Sequence, residues 1–129
     1  MMEEQLRALL LGMTSVTAHT GTRINWGAHP QGAPLPAVIL RVVSDVEGHT
    51  NKGRNGVSEA RVQIDCQAES YGAAKLLARA VRNGLTGYRG GLLQAVLFAT
   101  ARDGREGGTD EADRPFRVSL DFFVHHTTT

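Results

Sequence analysis

The chain has 129 residues, of which 41% are hydrophobic and 21% charged, and its formal net charge at pH 7 is +1. These values are ordinary for a soluble globular protein, so we expect residues 1–129 to form one domain with its own core. A nearly neutral chain argues against strong non-specific attraction to nucleic acid or to anionic membranes. The single cysteine excludes an internal disulfide and any zinc site built from several thiolates.

The N-terminus carries two glutamates directly after two methionines, and its run of three leucines at residues 9–11 is too short for the core of a signal peptide. No stretch approaches the roughly 20 apolar residues that a membrane-spanning helix requires. We therefore expect synthesis in the cytoplasm and no membrane partner.

The first predicted element is an amphipathic helix over residues 2–13, where apolar side chains recur on one stripe. A polar segment of small residues follows at 14–22, and residues 23–26 can form a short strand. Three prolines then predict an extended and rigid connection over residues 27–36, because proline fixes φ and lacks a backbone donor.

Residues 37–46 are rich in β-branched side chains and begin with a continuous apolar run, which predicts a strand buried on both faces over part of its length. Residues 47–56 are polar and glycine-punctuated, which predicts a long hairpin loop. Residues 58–68 alternate apolar and polar side chains strictly. This pattern is typical of an antiparallel strand with one face in water or at an interface.

Ser70 is a suitable N-cap for a helix over residues 71–85. The remaining pattern, in chain order, predicts a strand over 92–101, a polar loop over 102–114, a second alternating strand over 116–124 and a frayed tail over 126–129.

The elements therefore follow the order α-β-β-β-α-β-β. We expect an α+β fold in which two helices pack on one face of an antiparallel or mixed sheet of four to five strands. If the two alternating strands are antiparallel neighbours, one register would place Arg61 opposite Asp121 and Asp65 opposite Arg117.

No pattern in the sequence predicts catalytic, metal-binding or cofactor-binding residues. Cys66 occupies an inward strand position, which is typical of a core thiol rather than of a nucleophile. Asp65 and Asp121 could act as an acid and a base, but a structural pairing with arginine is the favoured interpretation. The histidines lack the helical spacing of a metal pair, and the glycine-rich loop lacks the phosphate-binding arrangement.

Basic residues and one asparagine, in the predicted loops and on one face of the second helix, are the candidates for contacts with a partner, although a solvated surface explains them as well. The candidate interface residues are His49, Asn51, Lys52, Arg54, Arg79, Arg82 and Arg105.

Four stretches together resemble a known family. They are Arg-Ile-Asn-Trp-Gly at residues 23–27, the proline- and glycine-rich residues 30–38, Arg-Val-Gln-Ile-Asp-Cys-Gln-Ala at 61–68 and Arg-Val-Ser-Leu-Asp-Phe at 117–122. The combination resembles the tail-completion, or tail-terminator, proteins of phages with long flexible tails, which also occur in prophages and gene transfer agents. The similarity covers nearly the whole chain.

The resemblance implies a structural, non-enzymatic virion protein without cofactors. Such a protein forms a ring, commonly a hexamer, on the head-proximal end of the tail tube. The ring stops tube polymerisation and joins the tail to the head connector. Specific nucleic-acid binding is not implied, although DNA could pass through the lumen. Two alternatives stay open: a head–tail connector or stopper protein, and a small-ligand or nucleic-acid binding module. An enzyme is the weakest interpretation.

Overall fold

A computed structural model of the chain describes residues 1–30, 34–50, 53–105 and 115–127, without the side chains of 48–50, 53–56 and 105. Three helices and five strands follow one another along these residues. They are α1 (Met2–Leu11), α2 (Thr14–Thr20), β1 (Ile24–Trp26), β2 (Ala37–Thr50), β3 (Gly53–Ala68), α3 (Tyr71–Leu85), β4 (Leu93–Arg105) and β5 (Phe116–Thr127).

The five strands form one mixed sheet in the order β1-β2-β3-β5-β4. β1 runs parallel to β2, and the other neighbours are antiparallel. The predicted α+β class is therefore confirmed, with the helices on one face of the sheet.

The sequence predicts a polar connecting segment at residues 14–22, whereas the structure has helix α2 there. Threonine and serine are weak helix formers, so the local sequence gives little signal there. Val16 and Thr20, one helical turn apart, are nevertheless buried. Tertiary packing thus stabilises a helix that propensity alone does not indicate.

The helix over 71–85 is confirmed at both ends. The Ser70 hydroxyl accepts a hydrogen bond of 3.2 Å from the backbone amide of Ala73, as expected of an N-cap. The first helix is shorter than the predicted 2–13, because it ends at Leu11 and Gly12 caps it.

Both predicted loops are shorter than expected, because strand pairing continues into polar sequence. Residues 47–50 and 53–56 belong to β2 and β3, and residues 102–105 belong to β4. The expected fraying at 126 and 127 is also wrong, since the Thr127 amide donates to the Leu92 carbonyl at 3.0 Å. Ladder hydrogen bonds use the backbone, so polar side chains do not end a strand. The remaining parts of these predictions, at 51–52, 106–114 and 128–129, lie outside the described residues.

The core lies between the helices and the inner face of the sheet. Four side chains of the helices are completely buried against this face: Leu6 and Leu10 of α1, and Leu77 and Val81 of α3. At its centre the ring of Phe122 on β5 meets Phe98 of β4 edge to face, with 5.6 Å between ring centroids.

β3 and β5 are antiparallel neighbours as predicted, but their register is shifted by two residues. Asp121 lies opposite Gln63 rather than Arg61, and Asp65 lies opposite Ser119 rather than Arg117. A shift of two keeps every side chain on the same face of the sheet. The hydrophobic pattern therefore could not distinguish the two registers.

Candidate assembly surfaces

The face of the sheet turned away from the helices, here called the outer face, carries two buried carboxylates. Asp65 is only 1% exposed and accepts hydrogen bonds from Arg41 at 2.9 Å and from the Ser119 hydroxyl at 2.7 Å. Asp121 is equally buried and accepts from Arg61 at 2.8 Å and from Arg102 at 3.3 Å. Both carboxylates therefore lie beneath half-exposed arginines.

This arrangement corrects and confirms parts of the sequence interpretation. The pattern predicts an outer face in water or at an interface, and the structure shows that long side chains cover the short acidic ones at its centre. Each carboxylate does have an arginine partner, as expected. Arg61 reaches Asp121 diagonally despite the shifted register, whereas the partner of Asp65 is Arg41 on β2 and not Arg117.

A groove between α3 and β4, here called the basic groove, has a volume of about 200 Å³. Its rim carries Lys75, Arg79 and Arg82, which lie on one side of α3, and its floor includes the buried Val118 and Leu120 of β5. An apolar floor under a cationic rim is suited to an acidic segment of another chain.

Two of the three cations are held in place. The Lys75 ammonium lies 2.8 Å from a carboxylate oxygen of Asp103, which also accepts from the Tyr71 hydroxyl at 3.0 Å. The hydrogen bond to Asp103 raises the pKa of Lys75, and the same bond lowers the pKa of Asp103. The Arg82 guanidinium stacks 3.9 Å from the centroid of the Phe98 ring. Lys75 and Arg82 therefore have fixed positions, and Arg79 and Arg82 supply the guanidinium charge of the rim.

A larger cavity of about 420 Å³, here called the acidic pocket, lies between the start of α1 and the far part of β2. Glu3, Asp45 and Glu47 line it, together with His126 of β5. The His126 ring lies with Nε2 3.1 Å from an Asp45 carboxylate oxygen. Three carboxylates around one cavity make this surface suitable for cationic side chains.

Exposed apolar side chains lie on β2 and, at the other side of the sheet, on α3 and β4. Val42, Val43 and Val46 lie on β2 beyond Leu40, where β1 no longer covers the edge, and Val46 is 64% exposed. On the opposite side of the described structure, Tyr71, Leu76 and Leu97 are exposed on α3 and β4. The sequence prediction missed these groups, although the change from apolar to mixed residues after Leu40 was a visible signal.

A protein-family model with the description "Tail completion protein gp17" matches residues 4–126 of this chain. The chain belongs to this family. It is therefore a structural protein of a phage-type tail, and its place is in the particle.

A solved structure agrees with this assignment at the level of the fold. A chain from the virion of a native gene transfer agent (GTA) particle has a TM-score of 0.71 and is 23% identical, with 95% of this chain and 91% of that chain covered. No curated protein matches the chain.

The predicted interface residues of this tail completion protein fall into three separate regions. Arg79 and Arg82 come together at the basic groove. The other candidates do not join them in the described structure. The backbones of His49 and Arg54 lie on the β2–β3 hairpin and that of Arg105 ends β4, while their side chains, and all of Asn51 and Lys52, lie outside the described residues.

Cys66 of the tail completion protein lies in the core, as the strand pattern predicted. Its side chain is completely buried, and burial, followed by the neighbouring Asp65 charge, raises the pKa of the thiol far above its ordinary value. A thiol in this state is a poor nucleophile, because the reactive thiolate is not formed.

We expect Cys66 to react with a thiol reagent such as Ellman's reagent at least about a hundredfold more slowly in the native protein than in denaturant. The measurement is the absorbance of the released chromophore with time. A matched control is Ser70→Cys, which places a thiol at an exposed position and should react within the mixing time. Rapid reaction of the native wild-type protein would contradict the buried position.

Among the described residues, no group of three or more histidine, cysteine, aspartate or glutamate side chains is arranged to hold a metal ion. In the same part of the chain, no helix has both the length and the apolar character needed to cross a membrane.

Proposed function

We propose that this protein is a tail terminator. In this proposal it forms a ring, of six copies as the family resemblance implies, on the head-proximal end of the tail tube. The ring stops tube polymerisation and joins the tail to the head connector. The observation that carries the proposal is the match of the tail completion family over residues 4–126, which is nearly the full length of the chain.

The shape of the chain is suited to this role. Among the described residues β3 pairs with β5 from Val57 onward, and residues 53–56 of the hairpin extend about 13 Å past this pairing, at 3.3 Å per residue. The hairpin sequence includes His49, Lys52 and Arg54. A projecting, basic two-stranded arm can contact a tube subunit or line the opening of a ring.

The proposal includes a purely structural role without catalysis. The similar chain from a gene transfer agent virion supports a place among other particle proteins. The buried carboxylates of the outer face support it as well, because arginine pairing commits Asp65 and Asp121 to the fold.

We expect the purified protein to limit the length of tubes that grow from purified tail-tube protein. Electron microscopy of the negatively stained tubes measures their length distribution and the position of any ring. The terminator proposal expects short tubes with density at one end, and fewer, longer tubes as the protein is diluted. The protein after thermal denaturation is the control.

In the producing cell, removal of this chain should give overlong tails that lack heads. Tails of normal length that still lack heads would instead favour a connector or stopper protein. If tube growth is unchanged and the protein is absent from purified particles, the terminator proposal is wrong.

A further inference from the structure

The acidic pocket and the basic groove have opposite charge and lie on opposite sides of the chain. The acidic pocket includes Asp45 and Glu47 of β2, and the basic groove lies beside β4, the last strand on the other side of the sheet. Along β5 the two are also separated, because the groove contacts Leu120 and the pocket contacts His126. Six residues of strand span about 20 Å, so one chain cannot bring the two surfaces together.

At each surface, the few groups whose charge is opposite to that of the surface have a partner within the same chain. The side chains that line the acidic pocket include three carboxylates and one histidine, His126, whose Nε2 lies 3.1 Å from Asp45. Beside the basic groove, Asp103 pairs with Lys75. The pocket side therefore presents mainly carboxylates and the groove side mainly guanidinium groups.

Exposed apolar residues divide between the same two sides. Val42, Val43 and Val46 lie on β2, the strand that supplies Asp45 and Glu47 to the acidic pocket, with Val46 turned to the outer face. Leu76 lies on α3, and Leu97 lies on β4 and is also turned to the outer face. Apolar contacts supply the affinity of most protein interfaces, and complementary charge fixes the partner and its register. Each side thus has the composition of one half of an interface, and the two halves complement each other.

We infer that the acidic pocket of one copy binds the basic groove of the next copy. This contact is head-to-tail, since two different surfaces of identical chains meet, and repeated contacts of this type close into a ring when the rotation between copies permits it. The inference rests on the proposed function in that it assigns the surfaces by which the ring is built.

The test uses two charge reversals and their mixture. One variant carries Arg79→Glu with Arg82→Glu, and the other carries Glu3→Arg with Glu47→Arg. Each variant alone places like charges against each other at every contact, so we expect association to weaken at least about tenfold at low ionic strength. In an equimolar mixture, the two variants can alternate around an even-numbered ring. The reversed groove of one variant then meets the reversed pocket of the other, and the unchanged groove meets the unchanged pocket, so that opposite charges face each other at every contact. The mixture should therefore regain the wild-type mass.

Native mass spectrometry and analytical ultracentrifugation measure the mass, with and without tail-tube protein. The neutral variants Arg79→Gln with Arg82→Gln, and Glu3→Gln with Glu47→Gln, are matched controls, which should weaken association less and show no mutual rescue. Circular dichroism establishes that each variant is folded. A reversal that does not fold is replaced by its single form, Arg79→Glu or Glu47→Arg.

Three outcomes overturn the inference: reversal variants that assemble like the wild type, a mixture without rescue, or a wild-type protein that stays a single copy both in solution and in particles. The two proposals can fail separately. If the mixture regains the wild-type mass but the protein does not change tube length, the contact is supported and the terminator role is wrong. Normal tube termination by both reversal variants supports that role and removes the contact.

Discussion

Replacement of Phe122 by alanine is expected to lower the free energy of unfolding by about 3–5 kcal/mol, the range for a buried phenylalanine. The Phe122 side chain is completely buried at the centre of the sheet, where it meets Phe98 edge to face. Alanine leaves a cavity that the surrounding strands cannot collapse to fill, because β3 and β4 are hydrogen-bonded on both sides of β5. Urea denaturation followed by circular dichroism measures the change.

Phe123 provides the matched control for this prediction. It is the next residue on the same strand and points to the outer face, where it is only partly buried and lies 6.0 Å from the Arg61 guanidinium carbon. Phe123→Ala should lower the free energy of unfolding by about 1 kcal/mol or less. Equal losses at the two positions would show that the helices do not cover the face to which Phe122 points.

Replacement of Asp65 by alanine is expected to lower the free energy of unfolding by about 2–3 kcal/mol. The substitution leaves the buried Ser119 hydroxyl without its acceptor and Arg41 without its ion pair. The loss is smaller than for a fully buried pair, because the half-exposed Arg41 can return to water. Thermal unfolding and urea denaturation both measure the effect.

Glu59 gives the control for Asp65, since it lies on the same face of the same strand but is exposed. Its contact with His125 is long, at 3.7 Å, and exposed pairs contribute little. Glu59→Ala should therefore change the free energy of unfolding by less than about 0.5 kcal/mol. If Asp65→Ala is equally mild, the buried network does not stabilise the sheet.

The parts of the fold that could be predicted were those with strong periodicity. The helix 71–85 has a capping serine and a continuous apolar stripe, and both of its ends were correct. The strands 58–68 and 116–124 alternate strictly, so their inward residues and their pairing were correct, although both strands extend further. In these segments local pattern and tertiary packing agree, which makes the pattern sufficient.

The prediction failed where the backbone or a distant neighbour decides the structure. Helix α2 exists because Val16 and Thr20 are buried by other elements, which no local signal reports. The β2–β3 hairpin continues through glycine-rich polar sequence because its ladder bonds do not depend on side chains. The register of β3 against β5 was wrong by two residues, a shift to which the inward pattern is insensitive.

The candidate surfaces were only partly accessible to sequence reasoning. The spacing of Arg79 and Arg82 predicts that they lie on one face of a helix, and the structure adds the apolar floor beneath them. The acidic pocket was missed entirely. Its carboxylates come from Glu3 at the start of the chain and from Asp45 and Glu47 on β2, and only the folded topology brings these segments together.

The contact between Trp26 and α1 has a practical consequence. Trp26 is the only tryptophan of the chain, and its indole Nε1 donates a hydrogen bond of 2.9 Å to the backbone carbonyl of Glu3. The side chain of Glu3 lines the acidic pocket, where we place the neighbouring copy. Binding of a cationic surface there changes the electric field and the solvent around the indole. The intrinsic fluorescence of the unlabelled protein should therefore follow the joining of subunits in real time.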